Sequence, residues 1–413
     1  MAEDMERRRY ALIGTGNRGT TMWGRDLLEG WRDKVELVAI CDLNGLRAER
    51  ARTMIGSNAP IYGSIEQTLA ASHPELVIVC TKDSTHDEII VRALESGADV
   101  ISEKPMATTV EKIRRIRDAE KRTGKHVDVS FNYRFAPTAA RLKELLLSGA
   151  IGTLTSVDFH WYLDNTHGAD YFRRWHAYTE NSGSLFVHKA THHFDLLNWF
   201  IAADPESVAA FGEQRNYGRN GPFRGTRCKG CPHAGECNYY FDMSADPFLD
   251  ALYEDPSEVD GYFRDACVYR EDIDIPDTMT ATIRYENKVA VSYSLNTFMP
   301  IEGYTIAFNG TLGRIETRLF EKQPFETPDH DEILWVRSFG QGVERIAVPH
   351  DGGGHFGGDK RMRNLMFRGG EDPLGQRAGS RAGAMSVLVG IAALKSSREG
   401  RRVTIAELGD IGG

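Results

Sequence analysis

The chain has 413 residues, 41% of them hydrophobic and 26% charged, enough for two cores, since single cores rarely grow past about 250 to 300 residues. A formal net charge of −9 argues against partners of the same sign, which excludes an electrostatic nucleic-acid or membrane-surface binder and leaves a small molecule as the expected partner. Residues 1–7 lack the apolar core of a signal peptide and no apolar run approaches a membrane span, so a cytoplasmic location is expected, where six cysteines read as metal ligands or packing residues rather than disulfides.

In chain order, the apolar run 10–13 breaks into Gly14-Thr15-Gly16-Asn17-Arg18-Gly19, followed by Trp23, Leu27 and Leu28 at helical spacing. That is strand, glycine turn, helix. Gly14 permits a tight turn, Gly16 lets a diphosphate approach bare backbone, and Gly19 lets helix and strand pack closely, with Asn17 and Arg18 at the helix N-terminus where the diphosphate is expected. A second apolar strand, 35–40, leads to Asp42, about twenty residues past the last glycine, where a carboxylate binds both ribose hydroxyls and repels a 2′-phosphate. NAD is therefore expected rather than NADP. A helix over 46–55, a strand at 61–62, a helix over 65–69 and the apolar run 76–80 follow. Continuous apolar runs suit parallel strands buried on both faces. Ser84 or Thr85 is expected to cap the helix that runs to Leu94, and Thr81, Ser84 and His86, past the strand end, are expected at the cofactor. A strand at 100–101, a helix over 110–119 and a strand at 127–131 complete a doubly wound sheet.

Past the strand ends, where such sheets bind ligands, stand Glu103-Lys104-Pro105 and Asn132-Tyr133-Arg134-Phe135. With the glycine turn upstream, the sequence resembles the Gfo/Idh/MocA family of NAD(P)-dependent oxidoreductases over nearly its whole length. The resemblance implies an α/β protein with a Rossmann dinucleotide-binding domain over residues 1–130 and an α+β substrate domain over 131–380. The second domain is expected to carry an open, mainly antiparallel sheet that covers the nicotinamide, with a sugar or cyclitol between. Residues 381–413 are expected to return as a helix and strand toward the cofactor domain. A homo-oligomer, dimer or tetramer, is implied by the resemblance, as are cofactor contacts from Glu103, Lys104 and Asn132. The sequence agrees with a second sheet: after a helix over 137–147, alternating strands lie at 153–162, 278–285, 289–295 and 304–308.

Hydride transfer from a secondary alcohol needs a base for the hydroxyl proton, and Lys104, dehydrated beside a cationic nicotinamide, would have its pKa lowered toward that task. The resemblance makes His192 the acid/base of an Asp-x-x-x-His pattern, but the aspartate's place holds His188, followed by Lys189, so two ionisable nitrogens replace one carboxylate. His193 reads as a packing histidine. The departure at His188 keeps a second reading open: an NAD-retaining glycosidase that oxidises a ring hydroxyl transiently, eliminates the aglycone, adds water and returns the hydride, which needs bases rather than paired carboxylates. A third reading is a non-catalytic NAD redox sensor. Tyr133, Tyr162, Arg173, Arg174 and Trp175 suit a sugar pocket, and the arginines suit an anionic substituent such as a sulfonate or carboxylate. Cys228, Cys231 and Cys237, with Cys267 or His233 as the fourth ligand, have the spacing of a structural zinc site in an insertion near 220–270, with an iron–sulfur cluster or free thiols as alternatives. Cys41 and Cys80 read as packing residues. His355, in a glycine-rich turn before a helix near Asp359, is a candidate to close over substrate.

Overall fold

Alternate residues of β1 (Arg8–Ile13) face opposite sides of one sheet: Tyr10 and Leu12 pack with Trp23 and Ile78, whereas Ala11 and Ile13 pack with Val77 and Val100. A strand buried on both faces requires helices above and below it. The computed structural model, which describes residues 7–411, has that arrangement. β2 (Val35–Cys41), β3 (Ile61–Tyr62), β4 (Leu76–Val79), β5 (Asp99–Ser102) and β6 (Val127–Val129) join β1 in a parallel sheet of order β3-β2-β1-β4-β5-β6. The order reverses between β1 and β4, and the crevice beyond the carboxyl ends of those two strands is the expected ligand site of such a sheet. The reading of residues 1–6 lies outside the described residues.

Three local expectations are corrected. The helix after the glycine turn opens as a π-helical stretch, Gly19–Arg25, before the α-helix Asp26–Trp31, and the Tyr10 hydroxyl donates to the Trp23 carbonyl within it at 3.0 Å. An inserted side-chain donor of this kind competes with the helical ladder. Neither Ser84 nor Thr85 caps the helix His86–Glu95 through its side chain; the Thr85 hydroxyl instead donates to the Lys82 carbonyl at 2.8 Å, closing the short turn Asp83–Thr85. The sixth strand stops at Val129, because Phe131 and Asn132 donate back to Val129 and Ser130 and start the turn Asn132–Phe135.

The second sheet contains β7 (Leu154–Asp164), β8 (Pro205–Glu213), β9 (Thr278–Tyr285), β10 (Ala290–Met299), β11 (Glu302–Gly310), β12 (Gly313–Lys322), β13 (His330–Arg337), β14 (Val343–Pro349) and β15 (Val403–Thr404). Its order is β14-β13-β12-β11-β7-β10-β9-β8-β15, antiparallel throughout except for the parallel pair β7 and β10. Val157, Phe159, Trp161 and Leu163 of β7 face the core with Phe194 and Leu197 of the helix Ala190–Ile201, which leaves Asp158, His160 and Tyr162 on the opposite face. The helix Ser380–Glu399 joins the two layers: Ala384, Val387 and Leu388 belong to the first sheet's core, and Val389, Ala392 and Ala393 to the second's. No helix among the described residues is long and apolar enough to cross a membrane.

Candidate active site

The glycine turn is sterically fixed. Gly14 has φ +92°, and a Cβ there would lie 2.7 Å from the Cys80 carbonyl carbon; a Cβ on Gly19 would lie 2.1 Å from the Gly14 oxygen. Asp42, just past β2, has one oxygen accepting from the Thr15 amide at 2.8 Å and the Thr15 hydroxyl at 2.7 Å, and the other accepting from the Asn44 amide at 2.9 Å. The carboxylate is thus oriented by the loop it borders. The next side chain, Leu43, is 92% exposed, an apolar surface left uncovered beside the ribose position. Asn132 lies at the other end of the crevice with its Oδ1 buried and without a partner. A tight glycine turn, an oriented carboxylate, an uncovered apolar side chain and an orphaned acceptor fit a dinucleotide.

Past β5, Glu103 is buried and accepts from Arg18 Nε and Trp23 Nε1, each at 2.8 Å. Burial pushes its carboxyl up, but the Arg18 guanidinium outweighs this and holds it below the usual range. Arg18 also reaches Asp359, which accepts from Asn132 Nδ2 at 2.5 Å and contacts His355 Nδ1 at 3.1 Å. Glu103, Arg18 and Asp359 therefore form a chain of charges, with Asn132 hydrogen-bonded to the last, that binds the glycine turn to the helix Gly358–Arg368. His86 is turned inward, with Nδ1 2.8 Å from the Pro105 carbonyl and Nε2 3.2 Å from the Thr81 carbonyl. Burial lowers its pKa, although both carbonyl contacts oppose the shift. Its expected cofactor contact is corrected to a strut between two strand-end loops. Thr81 and Ser84 border the crevice, and the Ser84 carbonyl is taken by Lys112.

Lys104 leaves this framework toward the second domain. Its Nζ donates to the His188 carbonyl at 3.1 Å and lies 3.5 Å from His188 Nε2. His188 Nδ1 in turn is 2.5 Å from Asp83 Oδ2, and both side chains are buried. Burial pushes Lys104 down to about 8, Asp83 partly offsets this, and the neighbouring Lys189 pushes further down. Burial, with the Lys104 and Arg174 charges, also pushes His188 well down, and burial pushes Asp83 well up although the Lys104 and Arg174 charges oppose it, so the two share a single proton between Nδ1 and Oδ2 while the Nε2 edge faces Lys104. His192 stands edge-on to Tyr133 at 4.9 Å with Nδ1 unpartnered, and burial plus the Lys104 and Lys189 charges keep it neutral. His193 is, as expected, a packing residue: it stacks on Trp161 at 4.1 Å and pairs with the Tyr293 hydroxyl at 2.8 Å.

Trp175 stacks on His176 at 3.6 Å and meets the edge of His188 at 5.7 Å, while His176 lies 4.2 Å from His188. Tyr133 packs against His192 and, at 5.1 Å, against His355, whose glycine-rich loop borders an open cleft of about 580 Å³ that also touches Arg18 and His167. Lys189 is 3% exposed and has its ammonium 5.0 Å from the Trp161 ring centre and 5.9 Å from that of Tyr133, with no hydrogen bond or ion pair among the described residues. Arg174 borders the same region, held by Asp170 at 3.2 Å and by the Tyr262 hydroxyl at 3.4 Å.

Two expected substrate residues are not there. Tyr162 is on the far face of β7, because strand alternation sends it opposite Trp161. Arg173 points into the insertion, donating to the Tyr239 carbonyl and lying 3.4 Å from Cys228 Sγ. The zinc expectation is corrected as well. Cys228, Cys231, Cys237 and Cys267 are free, and among the described residues no group of three or more His, Cys, Asp or Glu could hold a metal ion. His233 is paired with Glu236 at 2.6 Å and stacked on Phe223. Tyr269 meets Phe223 and Tyr239 edge-on in the same insertion. Sequence reasoning missed Asp83 and His176. Asp83 follows β4 directly, and reading every strand end for ligands would have found it.

The geometry agrees with comparisons to known proteins. Residues 8–131 match the profile of an oxidoreductase family's NAD-binding Rossmann fold, and residues 143–405 match that family's C-terminal alpha/beta domain. YteT of Bacillus subtilis (strain 168), an oxidoreductase by name, is 35% identical over 420 residues, covering 96% of this chain and 97% of that protein. The D-glucoside 3-dehydrogenase of Escherichia coli (strain K12) is 34% identical over 146 residues, 35% of this chain and 41% of that protein. Among solved structures, a levoglucosan dehydrogenase in complex with NADH and levoglucosan superposes with a TM-score of 0.70 at 19% identity, covering 97% of this chain and 100% of that one. The WlbA dehydrogenase from Bordetella pertussis, in complex with NADH and UDP-GlcNAcA, superposes with a TM-score of 0.66 at 19% identity, covering 97% and 99%. At that identity the two structures speak for the fold. With both family profiles matched across most of its length, the chain belongs to the Gfo/Idh/MocA family of NAD-dependent oxidoreductases.

Proposed function

We propose that this protein moves a hydride between NAD and a secondary hydroxyl of a sugar, glycoside or cyclitol, with Lys104 as the proton acceptor. The observation that carries the reading is the line Lys104, His188, Asp83, in which an amine of lowered pKa is backed by an imidazole anchored to a buried carboxylate. Bound NAD supplies the hydride acceptor. The neutral Lys104 amine takes the hydroxyl proton, while His188, tied to Asp83 through Nδ1, positions the amine through its carbonyl and its Nε2 edge. His192, neutral and unpartnered at Nδ1, is placed to bond a second hydroxyl. Dehydrogenases of D-glucosides and inositols among the relatives support the substrate class. Lys189, buried between two aromatic rings and in direct contact with neither of the Glu302 and Glu321 carboxylates that offset its burial, favours a sugar that carries a negative substituent.

A second reading, redox-neutral glycoside cleavage, is favoured by one observation: at the position where the resemblance implies an aspartate, this chain has His188, an imidazole whose Nε2 lies 3.5 Å from Lys104 Nζ. Candidate glycosides with NAD in deuterated water separate the two. Accumulating NADH fluorescence is the expected result for the dehydrogenase. Aglycone release with exchange at the carbon next to the ketone, and no NADH, would establish the cleavage reaction instead. Neither signal across neutral and acidic sugars would overturn both.

A further inference from the structure

The insertion between β8 and β9 returns to the Rossmann domain and fastens itself beside the cofactor crevice. Met243, Leu252 and Tyr253 are buried in the core cluster of Tyr10, Leu12 and Trp23, not in that of the second sheet. Residues just past β2 hold the segment down: Asn44 Nδ2 donates to the Pro256 carbonyl at 2.8 Å, Arg50 pairs with Asp255 at 2.9 Å, and Arg47 pairs with Asp260 at 2.7 Å. The same Arg47 guanidinium lies 3.9 Å from Asp42 and over the rings of Tyr253 and Tyr262, at 5.5 and 5.8 Å from their centres.

At the centre of this contact, the Tyr253 hydroxyl, on a side chain 3% exposed, accepts from the Asn17 amide at 2.8 Å, and a Cβ placed on Gly16 would be 3.4 Å from the same oxygen. Asn17 and Gly16 belong to the turn that seats a diphosphate in this fold. A phenol both accepts and donates, and the hydroxyl's own hydrogen has no acceptor among the described residues. We propose that Tyr253 is a dinucleotide-binding residue, donating its hydroxyl hydrogen to the diphosphate while it accepts from Asn17, and that the strap 243–262 closes the cofactor in. Release then requires the Arg47, Asn44 and Arg50 fastenings to part. Retention of this kind favours turnover that resets the cofactor on the enzyme over turnover that exchanges it. The inference rests on dinucleotide binding alone, so it stands or falls separately from the substrate reading.

The test is NADH release from the full chain, followed by fluorescence after mixing with excess NAD, with equilibrium binding measured alongside. Tyr253→Phe keeps the ring and removes the hydroxyl; it is expected to weaken NADH binding about tenfold, the loss of one hydrogen bond to a charged group. Asp260→Ala keeps Tyr253 and frees Arg47; it is expected to speed release several-fold, with an unchanged thermal midpoint confirming an intact fold. Wild-type release and affinity in both variants would overturn the proposal. So would tighter binding by Tyr253→Phe, since the hydroxyl would then be a competitor for the diphosphate seat.

Discussion

The charge state of Lys104 decides what pH does to this site. Burial disfavours its ammonium form and sets the proton's loss near pH 8, so oxidation, which uses the neutral amine, is expected to climb with pH and level off above about 8. Lys104→Met should lower kcat on the order of 10²- to 10⁴-fold and abolish that rise, measured as kcat against pH with NAD saturating. Asp83 contributes in a separable way, because its negative charge raises the Lys104 pKa. Asp83→Asn therefore moves the midpoint of the rise to lower pH and reduces kcat through the lost anchor on His188, while NADH affinity stays as in the wild type. A midpoint unmoved in that variant would mean the carboxylate is not coupled to the amine. Lys104 and His192 were legible in the sequence because each lies in a short local pattern, a strand-end triplet or a helical register. Asp83 was not, since it meets His188 across 105 positions of chain and only when the two sheets come together. Tyr162 was misread although the information was local: with Trp161 facing inward, period two sends its neighbour out.

Between elements, the position of His192 depends on how the helix Ala190–Ile201 is tied to the turn after β6. Arg134 in that turn makes a two-pronged bond to Asp195 on the helix, Nε to Oδ2 at 2.7 Å and Nη2 to Oδ1 at 2.6 Å, and a third bond to the Gly375 carbonyl at 3.0 Å. Both side chains are buried, so Asp195→Ala leaves a guanidinium without its counter-charge and is expected to lower stability by about 3–5 kcal/mol, read from urea unfolding. A loss below 1 kcal/mol would mean that water reaches the freed guanidinium. The parallel strands and most helices of the first domain were readable because apolar runs and helical spacing are properties of a single segment, whereas the Ser84 or Thr85 cap was not. The cysteine insertion was not readable in the same way. C-x-x-C spacing is compatible with a metal, yet the distances among four thiols depend on the intervening chain, which here sets Tyr269 edge-on against Phe223 and Tyr239 and spends its far end on the Rossmann domain.

At the scale of the whole molecule, the two sheets do not have separable cores. The helix Ser380–Glu399 contributes Ala384, Val387 and Leu388 to one and Val389, Ala392 and Ala393 to the other, so neither core is complete without it. The strap adds Leu252 and Tyr253 to the first domain from an insertion in the second, and Asp359, on the far side of the second sheet in sequence, is bonded to Arg18 and Asn132. Unfolding either half alone would expose apolar surface that the other half buries, at roughly 25 cal/mol per Å² of it, and would break the Arg18–Asp359 pair and the Asn132–Asp359 hydrogen bond at the same time. Calorimetry is therefore expected to record one cooperative transition for all described residues, despite a chain long enough for two domains. Because the dinucleotide crevice is bounded by the glycine turn, the strap and the helix Gly358–Arg368, NADH at about a hundred times its Kd should shift that single transition upward as a whole, adding about 2.7 kcal/mol. Two resolved transitions, with NADH moving only one of them, would mean that the shared helix and the strap leave the cores thermodynamically independent.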